Sequence, residues 1–322
     1  MGNAGQCAEI SQPLVGLNAD ELARLAEDVK KWPLKPEPVR KFRKNGTYNR
    51  WMTLNRPTTK DRAYRQILGV RFFVGNAQKA VEIGARGGLV VMPAAPALLE
   101  LMRDREYRQA LLGADLVVTD SGFMVRFWNM MMGDSVQRVS GLKYLKLLLT
   151  RPEFQQPGAA LWIMPTQTSL ERCIYWLMAQ GHPVRREDFY VAPKYADNVA
   201  DDVLVKIVNQ SKPAHVIIGV GGGVQEKLGF YLKRHCASKP AIHCIGAAIG
   251  FLTGDQVRIP DWADQWTLGW LFRCWANPGR FVPRYAKAFQ LSAVLCKYRT
   301  QLPELEKAAS TDDVYLSHTP AL

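Results

Sequence analysis

No apolar run in this chain of 322 residues comes near the roughly 18–20 that a membrane-spanning helix needs. The apolar runs at 145–149, 216–218 and 242–245 have the length of strands or short helices, so any membrane attachment is expected to be peripheral. The start lacks the apolar core of a signal peptide, and Gln6 stands where a myristoylation signal has Ser or Thr, which points to a cytoplasmic chain. The six cysteines make no CxxC pair and the five histidines do not cluster with them, so neither a disulfide framework nor a metal site is expected. The most informative absence is of acid: between Gln265 and Gln301 there is no Asp or Glu.

That acid-free stretch carries Arg273, Arg280, Arg284, Lys287, Lys297 and Arg299 among aromatic residues. Read as helix, Trp262, Trp266 and Trp270 form one stripe and Phe281, Tyr285 and Phe289 a second, with Asn277, Pro278 and Gly279 as the break between them. Such a surface suits an anionic, partly apolar partner, with rings entering a headgroup region and Arg or Lys meeting lipid or a diphosphate. A core-packing helix pair with a solvated basic edge is the other reading. The net charge of +13 has a second source in residues 30–65, a basic stretch broken by Pro33, Pro36, Pro38 and Pro57. It shows no helix-turn-helix, zinc-finger or RNP-type signature, so nucleic acid is not the expected partner; a solvated basic linker or a membrane-facing segment fits it.

A short helix is expected over 19–31. From Ile67 onward, short β-branched runs at 89–92, 115–118, 160–164, 188–191, 215–218 and 241–245 alternate with helical patterns at 96–112, 123–132, 141–150, 169–180, 197–210 and 225–236. This alternation predicts an α/β domain with a largely parallel sheet and right-handed crossovers. In such sheets ligands sit beyond the carboxyl ends of the strands. Two strand ends there carry chemistry. Asp120, after the run ending at Val118, is placed for general-base work or for a sugar hydroxyl, unless it caps the helix expected from Phe123. The run Gly219, Val220, Gly221, Gly222, Gly223 would let a phosphate approach the backbone at a helix start, or would simply form a tight turn. The following strand offers no acidic residue for a ribose hydroxyl, which argues against a dinucleotide.

Taken in order, these pieces resemble the WecG/TagA/CpsF family of bacterial glycosyltransferases over residues 65–290. The matching residues are Ala114, Asp115, Leu116 and Val117 with Asp120 and Gly122; Gln137 to Gly141; Gly219, Val220 and Gly221 with Gln225 and Glu226; and Gly254, Arg258, Pro260, Trp262, Trp270, Arg273, Pro278, Arg280, Arg284 and Tyr285. The resemblance implies a Rossmann-like core at 65–250 with helices on both faces and a membrane-docking appendage at 251–300; residues 1–64, outside it, read as a basic N-terminal extension, and the small, polar composition of 301–322 predicts an unordered tail. The resemblance also implies inverting transfer of a hexose, without a metal or other cofactor, from a nucleotide-diphosphate sugar to a polyprenyl-diphosphate-linked saccharide at the cytoplasmic face of the membrane, for a capsule, exopolysaccharide or wall polymer. Asp120 matches the general base. Arg138, Gly219, Gly221 and Gln225 would line the pocket, and Arg273, Arg280 and Arg284 would meet diphosphate, for which a planar guanidinium is apt. Trp266, Trp270, Phe281 and Tyr285 would face an anionic membrane, and the core would self-associate.

The chain departs from the family pattern at Met92 and Ala94, where the family carries Thr-x-Asn, and at Gly223, Gly269 and Pro283. Losing polar groups from a closed sugar site changes which hexose fits, since an unmatched polar group costs about 1–3 kcal/mol. A donor other than N-acetylmannosamine is expected. The same losses motivate a rival reading, a non-catalytic scaffold in a polysaccharide assembly complex.

Overall fold

The computed structural model describes residues 63–196, 198–255, Trp275 and 278–306; within 278–288 only the backbone is described apart from Gly279 and Ala286. The expected helix at 19–31 and the basic stretch up to residue 62 lie outside the described residues.

The strands are β1 (Tyr64–Ile67), β2 (Val70–Phe73), β3 (Gly88–Val91), β4 (Leu116–Val118), β5 (Ala160–Met164), β6 (Phe189–Val191), β7 (His215–Ile218) and β8 (Ala241–Cys244). They form one sheet in the order β1-β2-β4-β3-β8-β7-β5-β6, parallel throughout except for the β1–β2 edge hairpin. The helices are α1 (Ala77–Gly84), α2 (Ala95–Leu98), α3 (Arg105–Leu112), α4 (Gly122–Met132), α5 (Gly141–Leu149), α6 (Gln167–Ala179), α7 (Asp202–Ser211), α8 (Val224–His235), α9 (Ala248–Thr253) and α10 (Pro278–Tyr298). The α/β expectation holds, with helices on both faces.

Strand residues alternate between two cores, and both faces are apolar because both are covered. Phe72, Leu89, Val91, Val117, Ile163 and Ile218 pack with α2, α3, α4, α7, α8 and α10 on one face. Phe73, Val90, Val118, Trp162 and Ile217 pack with α1, α5, α6 and α9 on the other. The single helix expected over 96–112 is broken: Asp104 caps α3 by accepting from the Tyr107 N–H at 2.9 Å and pairs with Lys227 at 2.8 Å. No helix among the described residues is long and apolar enough to cross a membrane.

The β1–β2 hairpin turns through Leu68 and Gly69, both at positive φ (51° and 74°). A leucine seldom adopts that conformation. Here the chain's later residues hold it: Leu68 N donates to Arg299 O at 2.8 Å, Gly69 N donates to Thr300 O at 3.0 Å, and Leu302 lies where a side chain on Gly69 would go. Leu291 and Leu295 of α10 are fully buried in the first core, and Glu306 N donates to Met102 O. The packed body thus runs past residue 250 and includes the distal half of α10 and residues 299–306.

Candidate active site

Asp120 leaves the carboxyl end of β4, and the helix that follows it is capped by its neighbour. Ser121 Oγ accepts from the Met124 N–H at 3.2 Å. Asp120 is therefore released from the helix-cap role that the sequence left open for it. Its Oδ1 instead reaches across to α5 and accepts from the Gly141 N–H at 2.9 Å. Arg138 stands beside it: Nε donates to the Asp120 carbonyl at 2.7 Å and the guanidinium lies 3.7 Å from Oδ1. Oδ2 carries no hydrogen bond among the described residues, and the side chain is 28% exposed. The carboxylate is thus fixed by one oxygen, and the other is unengaged among the described residues.

The loop that carries Arg138 is pinned to β4. Thr119 Oγ1 donates to Gln137 O at 2.7 Å, and Val139 N donates to Thr119 O at 3.1 Å. Ser140 caps α5 by accepting from Lys143 N. A side chain on Gly141 would meet Met92 Sδ, Ile245 O and Ala248 Cβ at 3.5–3.8 Å, so the ends of β3 and β8 close on the start of α5. Met92 is 4% exposed and fills this junction with an apolar side chain.

The glycine run follows β7. Gly223 has φ +94°, which glycine accommodates without strain, and a Cβ on Gly221 or Gly223 would meet nothing within 4 Å. The loop is therefore a side-chain-free surface. Behind it, the buried Glu226 carboxylate accepts from Gly223 N at 2.7 Å and from Gln225 Nε2 at 3.0 Å. Burial pushes its pKa up. This acid already caps α8 from the interior, which reduces the attraction of that helix end for a phosphate. Gln225, 3% exposed, accepts from Gly246 N at 2.6 Å and so ties the loop after β7 to the loop after β8. Its amide faces inward, not the cleft.

Asp120 with Arg138, and Gly219 with Gly221, thus share the carboxyl-end rim. The sheet order puts β3 and β8 between β4 and β7, a separation of three strand spacings or about 14 Å. Gly141, Ser140 and Glu226 had no role assigned from sequence. The readable signal for Glu226 was its place three residues after Gly223, the acid position of a capping box. The side chains of Arg273, Arg280, Arg284, Trp266, Trp270, Phe281 and Tyr285 lie outside the described residues. Among the described residues, no three His, Cys, Asp or Glu side chains gather as metal ligands.

No curated protein matches the sequence. The family model for the glycosyl transferase WecG/TagA/CpsF family matches residues 65–305, which spans both halves of the sheet, the rim and the distal part of α10. The chain belongs to the WecG/TagA/CpsF family of glycosyltransferases.

Proposed function

We propose that this glycosyltransferase moves a hexose, with inversion and without a metal, from a nucleotide-diphosphate sugar to a polyprenyl-diphosphate-linked saccharide in polysaccharide biosynthesis. The observation that carries this reading is Asp120, a rim carboxylate held by Gly141 N with its second oxygen unengaged among the described residues. In the transfer, an acceptor hydroxyl gives its proton to Asp120 while its oxygen bonds to the anomeric carbon. The bond from that carbon to the phosphate oxygen breaks, and the nucleoside diphosphate departs with the electron pair.

Arg138 orients Asp120 and lies near enough to meet phosphate. Gly219 and Gly221 provide a surface against which the nucleoside or sugar lies flat, and the distance across the rim suits an extended nucleotide sugar. Gln225 acts by fixing that loop. Arg273, Arg280 and Arg284 stabilise the diphosphates, and Trp266, Trp270, Phe281 and Tyr285 engage an anionic membrane at the cytoplasmic face, which makes the enzyme peripheral. A self-associated core completes the proposal.

The test is sugar transfer from a panel of nucleotide sugars to a polyprenyl-diphosphate sugar, with EDTA and with magnesium. The reading predicts transfer in EDTA with an inverted product; no transfer from any donor contradicts it. The scaffold reading draws on Met92, whose apolar side chain fills the junction beside Gly141. Calorimetry with nucleoside diphosphates separates the two, because a scaffold binds none.

A further inference from the structure

The transfer described above leaves the outward face of α4 without a task. Phe123, Phe127, Met130 and Met131 recur at i, i+4, i+7 and i+8 and so share one side of the helix. Phe123 and Phe127 are partly buried against the core and stack at 6.1 Å between centroids. Phe289 of α10 meets Phe123 edge-on at 5.3 Å yet remains 65% exposed, and Met130 is 74% exposed. Contiguous large apolar side chains at the surface mark an interaction site more often than isolated ones do.

Three features of this face identify its occupant. It is continuous with the active-site rim, since α4 begins two residues after Asp120 and carries its apolar side away to Met130 over about 12 Å. The helix itself is basic, because α4 contains no acid and carries Arg126 beside Phe127, while Arg138 stands with Asp120 at its origin. Finally, it is preformed. Ser121 caps one end, and at the other Asp134 accepts from Trp128 Nε1 and pairs with Arg65 at 2.7 Å. A rim bearing Arg138 that leads onto a fixed Phe and Met track with Arg126 alongside matches an amphiphile with a diphosphate head and a branched hydrocarbon tail. Methionine adapts to such irregular apolar surfaces. A bilayer would not need the track to begin at Asp120, whereas an acceptor lipid must bring its first prenyl units within a sugar and a diphosphate of that carboxylate.

We propose that the α4 face, with Phe289, seats the first prenyl units of the acceptor's polyprenyl chain. This rests on the transferase reading but is tested by a separate readout. A polyprenyl diphosphate with a diazirine in an early prenyl unit is photolysed with the full-length protein, and the adducts are mapped by mass spectrometry. Adducts are expected at residues 123–131 and at Phe289, suppressed by unlabelled polyprenyl diphosphate but not by inorganic diphosphate or phosphatidylglycerol vesicles. The surface double variant Met130→Ser, Phe289→Ser should label about tenfold less and show about a tenfold higher KM for a long-chain acceptor. Its KM for a short-tailed acceptor and its melting temperature should not change. Adducts elsewhere, equal suppression by vesicles, or unchanged labelling of the variant would overturn the proposal. Specific labelling without any sugar transfer would retain it while removing the catalytic reading.

Discussion

Two carboxylates stand on either side of β4, Asp115 before its first residue and Asp120 two residues after its last, and they belong to opposite ends of the same sheet. Asp115 is the more exposed, 48% against 28%. Its Oδ2 accepts from Leu89 N at 2.7 Å and pairs with Lys233 at 2.7 Å, so its charge locks β3, β4 and α8 together. Asp120 is held by a single N–H and a longer arginine contact, on the same rim as a glycine loop with open space around it. Exposure alone does not describe the difference between them. What separates them is the direction of the strands: in a parallel sheet the carboxyl ends open into the crevice and the amino ends close over structural contacts.

The amino end continues this pattern in its interior. Tyr144, His243 and His215 form a buried chain, with Tyr144 Oη 2.9 Å from His243 Nδ1 and His243 Nε2 3.1 Å from His215 Nδ1. With both rings neutral, one donor fits each gap. Burial lowers the pKa of His215 to about 4 and that of His243 as well.

The largest effect that would sharpen the contrast is at the open end. Asp120→Asn should lower kcat by about 10²–10⁴-fold with an unchanged melting temperature; a loss of stability instead would assign Asp120 to the scaffold. The closed end should respond to acid. An unfolded chain takes up protons on these histidines below about pH 6.5, while in the folded chain His215 refuses its proton until about pH 4 and burial disfavours the charged form of His243 as well. Stability is therefore complete above pH 6.5 and falls as the pH drops towards 4, by roughly 3 kcal/mol from His215 alone. Thermal melts across this range check it, and His243→Gln should flatten the dependence.

Next comes Gly88, at φ +86°, where an added Cβ would strike the Asp115 carboxylate. Gly88→Ala should cost about 2–3 kcal/mol and leave turnover per folded molecule intact. Smallest is Asp115→Asn, which should cost about 1 kcal/mol in denaturant unfolding because the lost pair is partly solvated. It too should spare kcat, and a catalytic defect there would break the comparison of the two ends.

Much of the scaffold was legible because buried parallel strands read as short β-branched runs: the strands expected at 160–164 and 215–218 coincide with β5 and β7. The β1–β2 hairpin was not, since its turn uses Leu68 at positive φ, stabilised by residues over 200 positions away, in place of an Asn-Gly signal. Of the rim, Asp120 was legible from its position after a strand. Its anchor, Gly141, was not, because a contact across 21 residues depends on how α5 meets β3 and β8. Gln225 looked like a cleft residue, and only the fold shows its amide joining two loops.

The central claim is that the carboxyl-end rim binds the nucleotide portion of the donor. Amide hydrogen exchange of the full-length protein, with and without UDP or GDP, tests it most directly. The account predicts slower exchange at 219–223 and 246–248, with or without an effect at 138–141, and none around Gly88, Asp115 and His215. Protection confined to that amino end, or none with either nucleotide, would contradict it.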